Sequence, residues 1–350
     1  YTTLFRSGPD KETALRIANT TQPLVVERSV SNTAVSINKV QEGIMMNEGK
    51  QFLCERKTRG VEKKVVGQCG GDLSEELLSM LTPKAGQHPV DMVVTSSHAS
   101  EHNWQIGYAF EGGYFVHDKG SNMLAKTVGG GSIPIKSPNP KILIAAGNCL
   151  MGHIVPGSCM ACSWLKSVGV TQMVGYTKES WFGYGGWGTL KYFVEVAGIH
   201  NLSQAFFANI QTLIQQLQMP NQPAQFKKGL EYDNKVLAFY GDPAWEARIP
   251  LPSAQTNTTP NPYEQQFTQE GNGRYRLRVN CVRDCAWTCP KANDSSTKPG
   301  RPPFFIFPKR MKNPRVTSGK IVLTSLFAIV EVPDKSPAGT VFEATFEEQL

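Results

Sequence analysis

Long apolar runs are absent from this 350-residue chain. No stretch approaches the roughly 18 consecutive apolar residues of a membrane-spanning helix, so no membrane span is expected. Cysteine is sparse, at eight residues. That is too few to staple a chain of this length into a disulfide scaffold, and the count alone sets no redox compartment. A phosphate-binding loop is missing too. The Gly-rich stretch 107–140, with Gly112-Gly113 and Gly129-Gly130-Gly131, has no strand–turn–helix setting and no Lys-Ser/Thr after it. It reads instead as a hairpin or mobile loop. There is no RNP-like motif, no basic helix and no internal repeat. The chain opens at Tyr1 with neither an initiator Met nor a signal peptide, which reads as a processed or trimmed piece.

What is present suits a globular α/β protein with two domains. Hydrophobic residues make up 40% and charged residues 19%, and the length supports a large core. The net charge of +7 is uneven. Residues 274–320 hold twelve Lys/Arg against two carboxylates, Asp284 and Asp294, a balance of +10 that leaves the remainder slightly acidic. This stretch reads as the solvated surface of a small β domain, or as the site of an anionic partner such as a nucleic acid, a polysaccharide or a membrane surface.

Strand and helix patterns alternate through the middle of the chain. Residues 23–28 look like a strand. Residues 33–46, with Val35, Ile37, Val40 and Ile44, have helical spacing. A strand follows at 63–67, then a helix at 72–81 opened by Asp72 and Glu75 in capping-box spacing and stopped by Pro83. Further on, 158–167, 186–197 and 203–218 read as helices, the last capped by Ser203. Residues 170–176 and 236–240 read as strands. Such alternation implies a mostly parallel sheet covered on both faces. Composition changes at Pro250. Residues 251–273, rich in Pro, Gln, Asn and Thr, read as a linker that few contacts should bridge. Strand-like runs at 275–282, 303–307, 321–332 and 341–346 then suggest a small β-sandwich or barrel over 274–350. The resulting division is an N-terminal extension (1–21), an α/β domain (22–250), the linker and the β domain.

Two strand ends stand out. Val90-Asp-Met-Val-Val-Thr-Ser-Ser-His98 and Lys141-Ile-Leu-Ile-Ala-Ala-Gly-Asn-Cys149 are apolar runs that end in small-residue turns. Neighbouring parallel strands of this kind bring an imidazole and a thiol to one sheet edge, where open α/β sheets bind ligands. A thiol needs a base or a cationic neighbour to act as a nucleophile at neutral pH. The residues thus point to a Cys/His nucleophilic site.

The segment His98-Ala-Ser-Glu101-His-Asn-Trp104-Gln-Ile-Gly107 resembles the His motif of the gingipain-type cysteine peptidases. Asn148-Cys149-Leu-Met-Gly152 resembles their nucleophile turn. Residues 163–181 are similar to the helix, strand and loop that follow it, and Phe239-Tyr-Gly-Asp-Pro-Ala244 resembles their closing motif. Together the four motifs cover about residues 22–250. The resemblance implies a caspase-like three-layer α/β domain followed by an immunoglobulin-like β domain, and a bacterial protein that is secreted or held at the cell envelope. It also implies endopeptidase activity on protein or peptide substrates, with Cys149 as nucleophile and His98 as general base and acid. The N–H groups of Ala99 and Cys149 would form the oxyanion hole, and Trp181 would wall the primary pocket.

Some features depart from the family pattern. Ala99 stands where Gly is usual, and Gly147-Asn148 replaces an apolar residue and Ala; both motivate an alternative, an inactive peptidase-like binding or secretion protein. His102 is an alternative base. Glu101 either orients His98 or caps the following turn. Residues 29–36 contain no carboxylate for a pocket base, so a strict Arg/Lys preference is not expected unless Glu27, Glu179 or Asp242 folds into the pocket. No redox or nucleotide cofactor is called for. Calcium is common in the family, but no local ligand cluster supports it. Cys281, Cys285 and Cys289, four apart as if along one strand, read as core thiols or disulfides rather than a zinc site. Cys159 and Cys162 read as helix-packing residues, with a redox C-x-x-C as the rival.

Overall fold

The computed structural model describes residues 8–33, 37–47, 53–61, 65–69, 81–82, 89–106, 113–253, 258–287 and 301–349. Six strands form the body of the main sheet: β1 (Arg28–Ser31), β2 (Glu42–Asn47), β3 (Met92–Thr95), β4 (Lys141–Ala145), β5 (Val170–Tyr176) and β6 (Leu237–Gly241). They lie in the order β6-β5-β4-β3-β1-β2, and Leu53–Lys57 and Val65–Gln68 extend the β2 edge. The five strands from β5 to β2 pair in parallel. Both flanks are antiparallel, including β6 on β5. The strand order reverses between β1 and β3, which is where open α/β sheets form ligand crevices.

Burial explains the continuous apolar runs. Every residue of β3, β4 and β5 is buried, because the sheet is covered on both faces. Side chains alternate between those faces. Val93, Leu143 and Met173 enter one core with Ile17, Trp104 and Trp164. Val94, Ile144 and Val174 enter the other with Phe193, Leu202 and Ala205. The first core is closed by helices α1 (Lys11–Asn19) and α2 (Met160–Lys166). The second is closed by α3 (Tyr184–Leu190), its π-helical continuation Lys191–Glu195, and α4 (Leu202–Gln218). A fifth helix, α5 (Ala224–Val236), precedes β6.

Several expectations from sequence are corrected. The helical spacing over 33–46 belongs to a 3-10 turn, Ile37–Lys39, followed by strand β2. Ile37 and Val40 are buried on that turn, so their spacing imitates a helix, and pairing with β1 decides the rest. The 23–28 strand divides into Leu24–Val25, paired with Ala247–Arg248, and β1. Asn201 rather than Ser203 caps α4, in a capping box with Gln204. Part of the Gly-rich stretch forms an antiparallel sheet with Asn103–Gln105. The helix expected at 72–81 falls outside the described residues except for Leu81.

The linker is the largest correction. Residues 263–271 are strand β7 (Tyr263–Gly271), paired along its length with β8 (Arg274–Cys281). With β13 (Val341–Glu347) and β10 (Arg315–Ser318) they make a four-stranded antiparallel sheet. A three-stranded sheet of β9 (Phe304–Ile306), β12 (Phe327–Val330) and β11 (Ile321–Leu323) accompanies it. Polar composition misleads here because the outer positions of β7 face solvent while Tyr263 points inward. Nor is the boundary thinly bridged. Phe304 meets Tyr192 and Phe207 at ring separations of 6.0 Å each, and one apolar core runs from the main sheet into the β region. Buried Lys39 donates to Thr259 O, Pro260 O and Asn261 Oδ1 at 2.9–3.0 Å. Burial lowers this ammonium to about 8.

His200 lies in this seam, 3% exposed, against Tyr192 and Phe304. Burial first, and Arg248 second, lower its imidazole to about 3. Between that value and the unfolded value near 6.5, the unfolded chain binds the extra proton, so stability falls as pH drops through this window. His200→Gln is expected to flatten the pH dependence by about 2 kcal/mol between pH 7 and pH 5, read from urea unfolding of both proteins. Equal slopes would contradict a neutral, buried His200.

Candidate functional site

Parallel pairing of β3 with β4 sets the site. Thr95 lies opposite Ala145 in the register. His98 follows three residues beyond Thr95, and Cys149 four beyond Ala145, so the two arrive at the same carboxyl edge. His98 is exposed and Cys149 half-buried. Each turn contains a non-glycine residue in the left-handed region, Ser97 with φ 78° before His98 and Leu150 with φ 56° after Cys149. Such conformations are costly for L-residues and persist only where their surroundings hold them.

Two buried asparagines supply that hold. Asn148, just before Cys149, donates Nδ2–H to Ser97 O at 2.9 Å, so the residue preceding the thiol grips the residue preceding the imidazole. Asn32, just after β1, donates to Ser96 O, Ser97 Oγ and Ile106 O at 2.9–3.2 Å and accepts the Ser96 N–H at 2.9 Å. The His98 turn is thus clamped from both neighbouring strands. Gly147 permits the approach, because a Cβ there would sit 2.5 Å from Ser96 Oγ. Sequence reasoning treated Asn148 only as a departure and did not find Asn32. Its position at the end of a strand beside the order reversal is the signal that marks it.

The Cys149 sulfur faces the loop after β5. Ser180 N–H points at it from 3.4 Å and Ser180 Oγ lies 3.6 Å away, while that hydroxyl donates to Gly147 O at 2.9 Å. Leu150 N–H donates to Lys178 O, and Gly152 N–H to Tyr176 O, which fix the turn against β5. Trp181 follows Ser180 and is 73% exposed.

The remaining candidates find definite places. Ala99 forms an isolated bridge with Trp104. The flanking bonds run from Gln105 N to His98 O and from Ser100 N to Asn103 O, which leaves the Ala99 N–H outside the ladder. Glu101 acts through its backbone, its carbonyl accepting the Met160 N–H at 2.8 Å. His102 pairs with His117, Nδ1 to Nε2 at 3.1 Å. Of the three acids weighed for a pocket, Glu27 is bound to Arg59 and Gln41, and Asp242 accepts the Ala244 N–H. Glu179 alone sits on the site loop, where Tyr232 of α5 donates to its carbonyl at 2.9 Å. Asp233, also on α5, accepts the Tyr176 hydroxyl and the Gly185 N–H and so anchors the start of α3 behind Trp181. Burial raises this carboxyl to about 6.

Among the described residues, no group of three or more His, Cys, Asp or Glu side chains could hold a metal ion, and no helix is long and apolar enough to cross a membrane. The basic stretch is interleaved with carboxylates. Arg274 and Arg278 face Glu347 and Glu343 across the β8–β13 pair, and Arg276 pairs with Glu270 and Glu343. Cys281 and Cys285 are not on one strand, since a turn separates them; Cys289 lies outside the described residues. Cys54 and Cys69, 15 residues apart, form a disulfide that ties the strand Leu53–Lys57 to the end of its antiparallel neighbour Val65–Gln68. The chain matches no family model, no curated protein and no solved structure.

The asparagine clamps rank differently. Asn32→Ala removes four side-chain hydrogen bonds and leaves buried partners unpaired, so about 3 kcal/mol of stability should be lost. Asn148→Ala removes one bond, together with an Oδ1 that has no partner, and should cost about 1 kcal/mol. Denaturant midpoints of the two variants check the order, which the opposite ranking would refute.

Proposed function

We propose that this chain is a cysteine endopeptidase, with a caspase-like α/β domain related to the gingipain type and an immunoglobulin-like β region. One observation carries the reading: His98 and Cys149 leave adjacent parallel strands at the same edge, and their preceding residues are joined by the Asn148–Ser97 hydrogen bond. The mostly parallel sheet buried on both faces is compatible with the fold. The Cys54–Cys69 disulfide favours an oxidising compartment, as for a secreted or cell-envelope protein.

In this reading His98 takes the Cys149 thiol proton as the sulfur attacks the scissile carbonyl carbon, and the carbonyl oxygen takes up the negative charge. The N–H groups of Cys149 and Ala99 receive that oxyanion, the latter because the hairpin ladder does not use it. His98 gives a proton to the leaving amine as the C–N bond breaks and a thioester forms. It then takes a proton from the water that hydrolyses the thioester, regenerating the thiol. Ser180 N–H, directed at the sulfur, helps to position it. Trp181 offers an aromatic wall to the substrate. Of the three acids weighed for the pocket, Glu27 and Asp242 are bound elsewhere and Glu179 lies beside Tyr232, and an apolar, small or neutral P1 side chain is favoured.

A thiol-reactive peptidyl probe tests the assignment. Labelling should map to Cys149 and disappear in Cys149→Ala. His98→Ala should slow it by about 100-fold or more, the range of a general acid–base contribution. A folded wild-type protein that no probe of a varied P1 panel labels would instead be the inactive, peptidase-like binding protein suggested by Ala99 and Asn148. Dominant labelling by P1 Arg or Lys probes would overturn the neutral-pocket assignment alone.

A further inference from the structure

The geometry points to a ligand site apart from Cys149: we propose that a cavity in the seam between the α/β body and the β region binds a neutral, single-ring phenol. The cavity measures about 210 Å³. His200, Gln204 and Arg248 line it from the α/β body, and Gln265, Phe267 and Phe305 from the β region. Arg248, Gln265 and Phe267 are only half-buried, so the cavity opens to solvent.

Two polar groups of its wall lack an answer from the protein. His200 is 3% exposed, and its Nε2 has no hydrogen-bond partner among the described residues. Gln265 Oε1 is buried without a partner as well. The orientation of that amide is fixed, because Gln265 Nε2 donates to Phe304 O at 3.1 Å; the reverse orientation would set two oxygens against each other. Buried polar atoms almost always find a partner, and leaving one without is costly. His200 and Gln265 border the same cavity, so one polar group of a ligand can serve both.

Charge and shape select the ligand. Arg248 offers little to an anion. Its Nε is bound to Glu246, its Nη1 to Gly198 O and Ile199 O, and its Nη2 to Gln204 Oε1. His200 is neutral, since burial lowers its imidazole to about 3. A neutral ligand therefore fits. Phe267 belongs to a stack of rings with Tyr275, Phe307 and Phe346, which offers aromatic surface to a flat apolar ring. A cavity of about 150 Å³ holds benzene, so this one has room for a ring with a small polar substituent. A hydroxyl suits better than a carbonyl or an ether. It donates to Gln265 Oε1 and accepts from His200 in its Nε2–H tautomer.

Phenol and toluene are the probes. Each is titrated into the full chain carrying methyl-labelled isoleucine, because Ile199 and Ile306 also line the cavity. Their methyl signals, assigned from Ile199→Val and Ile306→Val, should shift saturably with phenol at a Kd of about 1 mM or below. A purely apolar cavity would prefer toluene, which loses less on leaving water. Phenol is expected to bind more tightly than toluene, and Gln265→Met should weaken phenol by about 10-fold and reverse the order. Ile306→Phe fills the cavity while keeping both polar groups, and should abolish binding of both probes. N-acetyltyrosinamide, titrated in parallel, tells a tyrosyl side chain of a polypeptide from a free phenol by which of the two binds more tightly. The proposal is overturned if the two methyl signals do not saturate with phenol, if toluene binds the wild type more tightly, if Gln265→Met keeps the preference for phenol, or if Ile306→Phe still binds.

Discussion

Parallel pairing of Met92–Thr95 with Lys141–Ala145 is the constraint on which the candidate site depends. The register brings to one edge two turns whose strands start 49 residues apart, at Met92 and Lys141, with an antiparallel sheet between them in the chain. Register alone does not hold them. Ser97 and Leu150 adopt left-handed conformations that relax unless neighbouring groups oppose it. Asn32 and Asn148 provide this opposition from the two flanking strands, and the glycine at 147 lets the turns close upon one another.

The same logic of buried polar groups governs the larger architecture. Lys39 ties the turn before β2 to residues 259–261 with three hydrogen bonds. Arg301 reaches Asn209 and the Tyr184 carbonyl, and Tyr192 donates to Pro302 O. These contacts surround the aromatic seam built on Phe304. Buried polar groups are costly when unpaired, so the β region and the α/β body hold each other's polar atoms as well as sharing apolar surface. Separating them leaves donors without acceptors along with exposed rings, which makes the two parts one structural unit despite their different secondary structure.

Cysteine chemistry in this chain is partitioned by environment rather than by count. Cys54 and Cys69 are bonded across an antiparallel pair. Cys149 is half-buried at a sheet edge with a backbone N–H directed at its sulfur. Cys159 and Cys162 are buried at the start of a helix, and burial raises the Cys281 and Cys285 thiols, the second of which donates to two backbone carbonyls. Reactivity follows which form of the sulfur the neighbours stabilise.

The apolar runs at β3, β4 and β5 were legible from sequence because strands buried on both faces must be continuously apolar. The small-residue turns after two of them marked His98 and Cys149 for the same reason: only short side chains allow tight closure at a strand end. The strand β2 and the strand β7 were not legible. Ile37 and Val40 satisfy a helical spacing as well as a 3-10 turn does, and β7 carries polar residues on its solvent face; pairing with β1 and β8 decides both. Asn32 lies more than a hundred residues from Cys149, and no local pattern joins them. Its role, the disulfide partner of Cys54 and the seam around Phe304 were decided only by the tertiary structure, because each depends on contacts between segments whose separation along the chain carries no signal of their meeting.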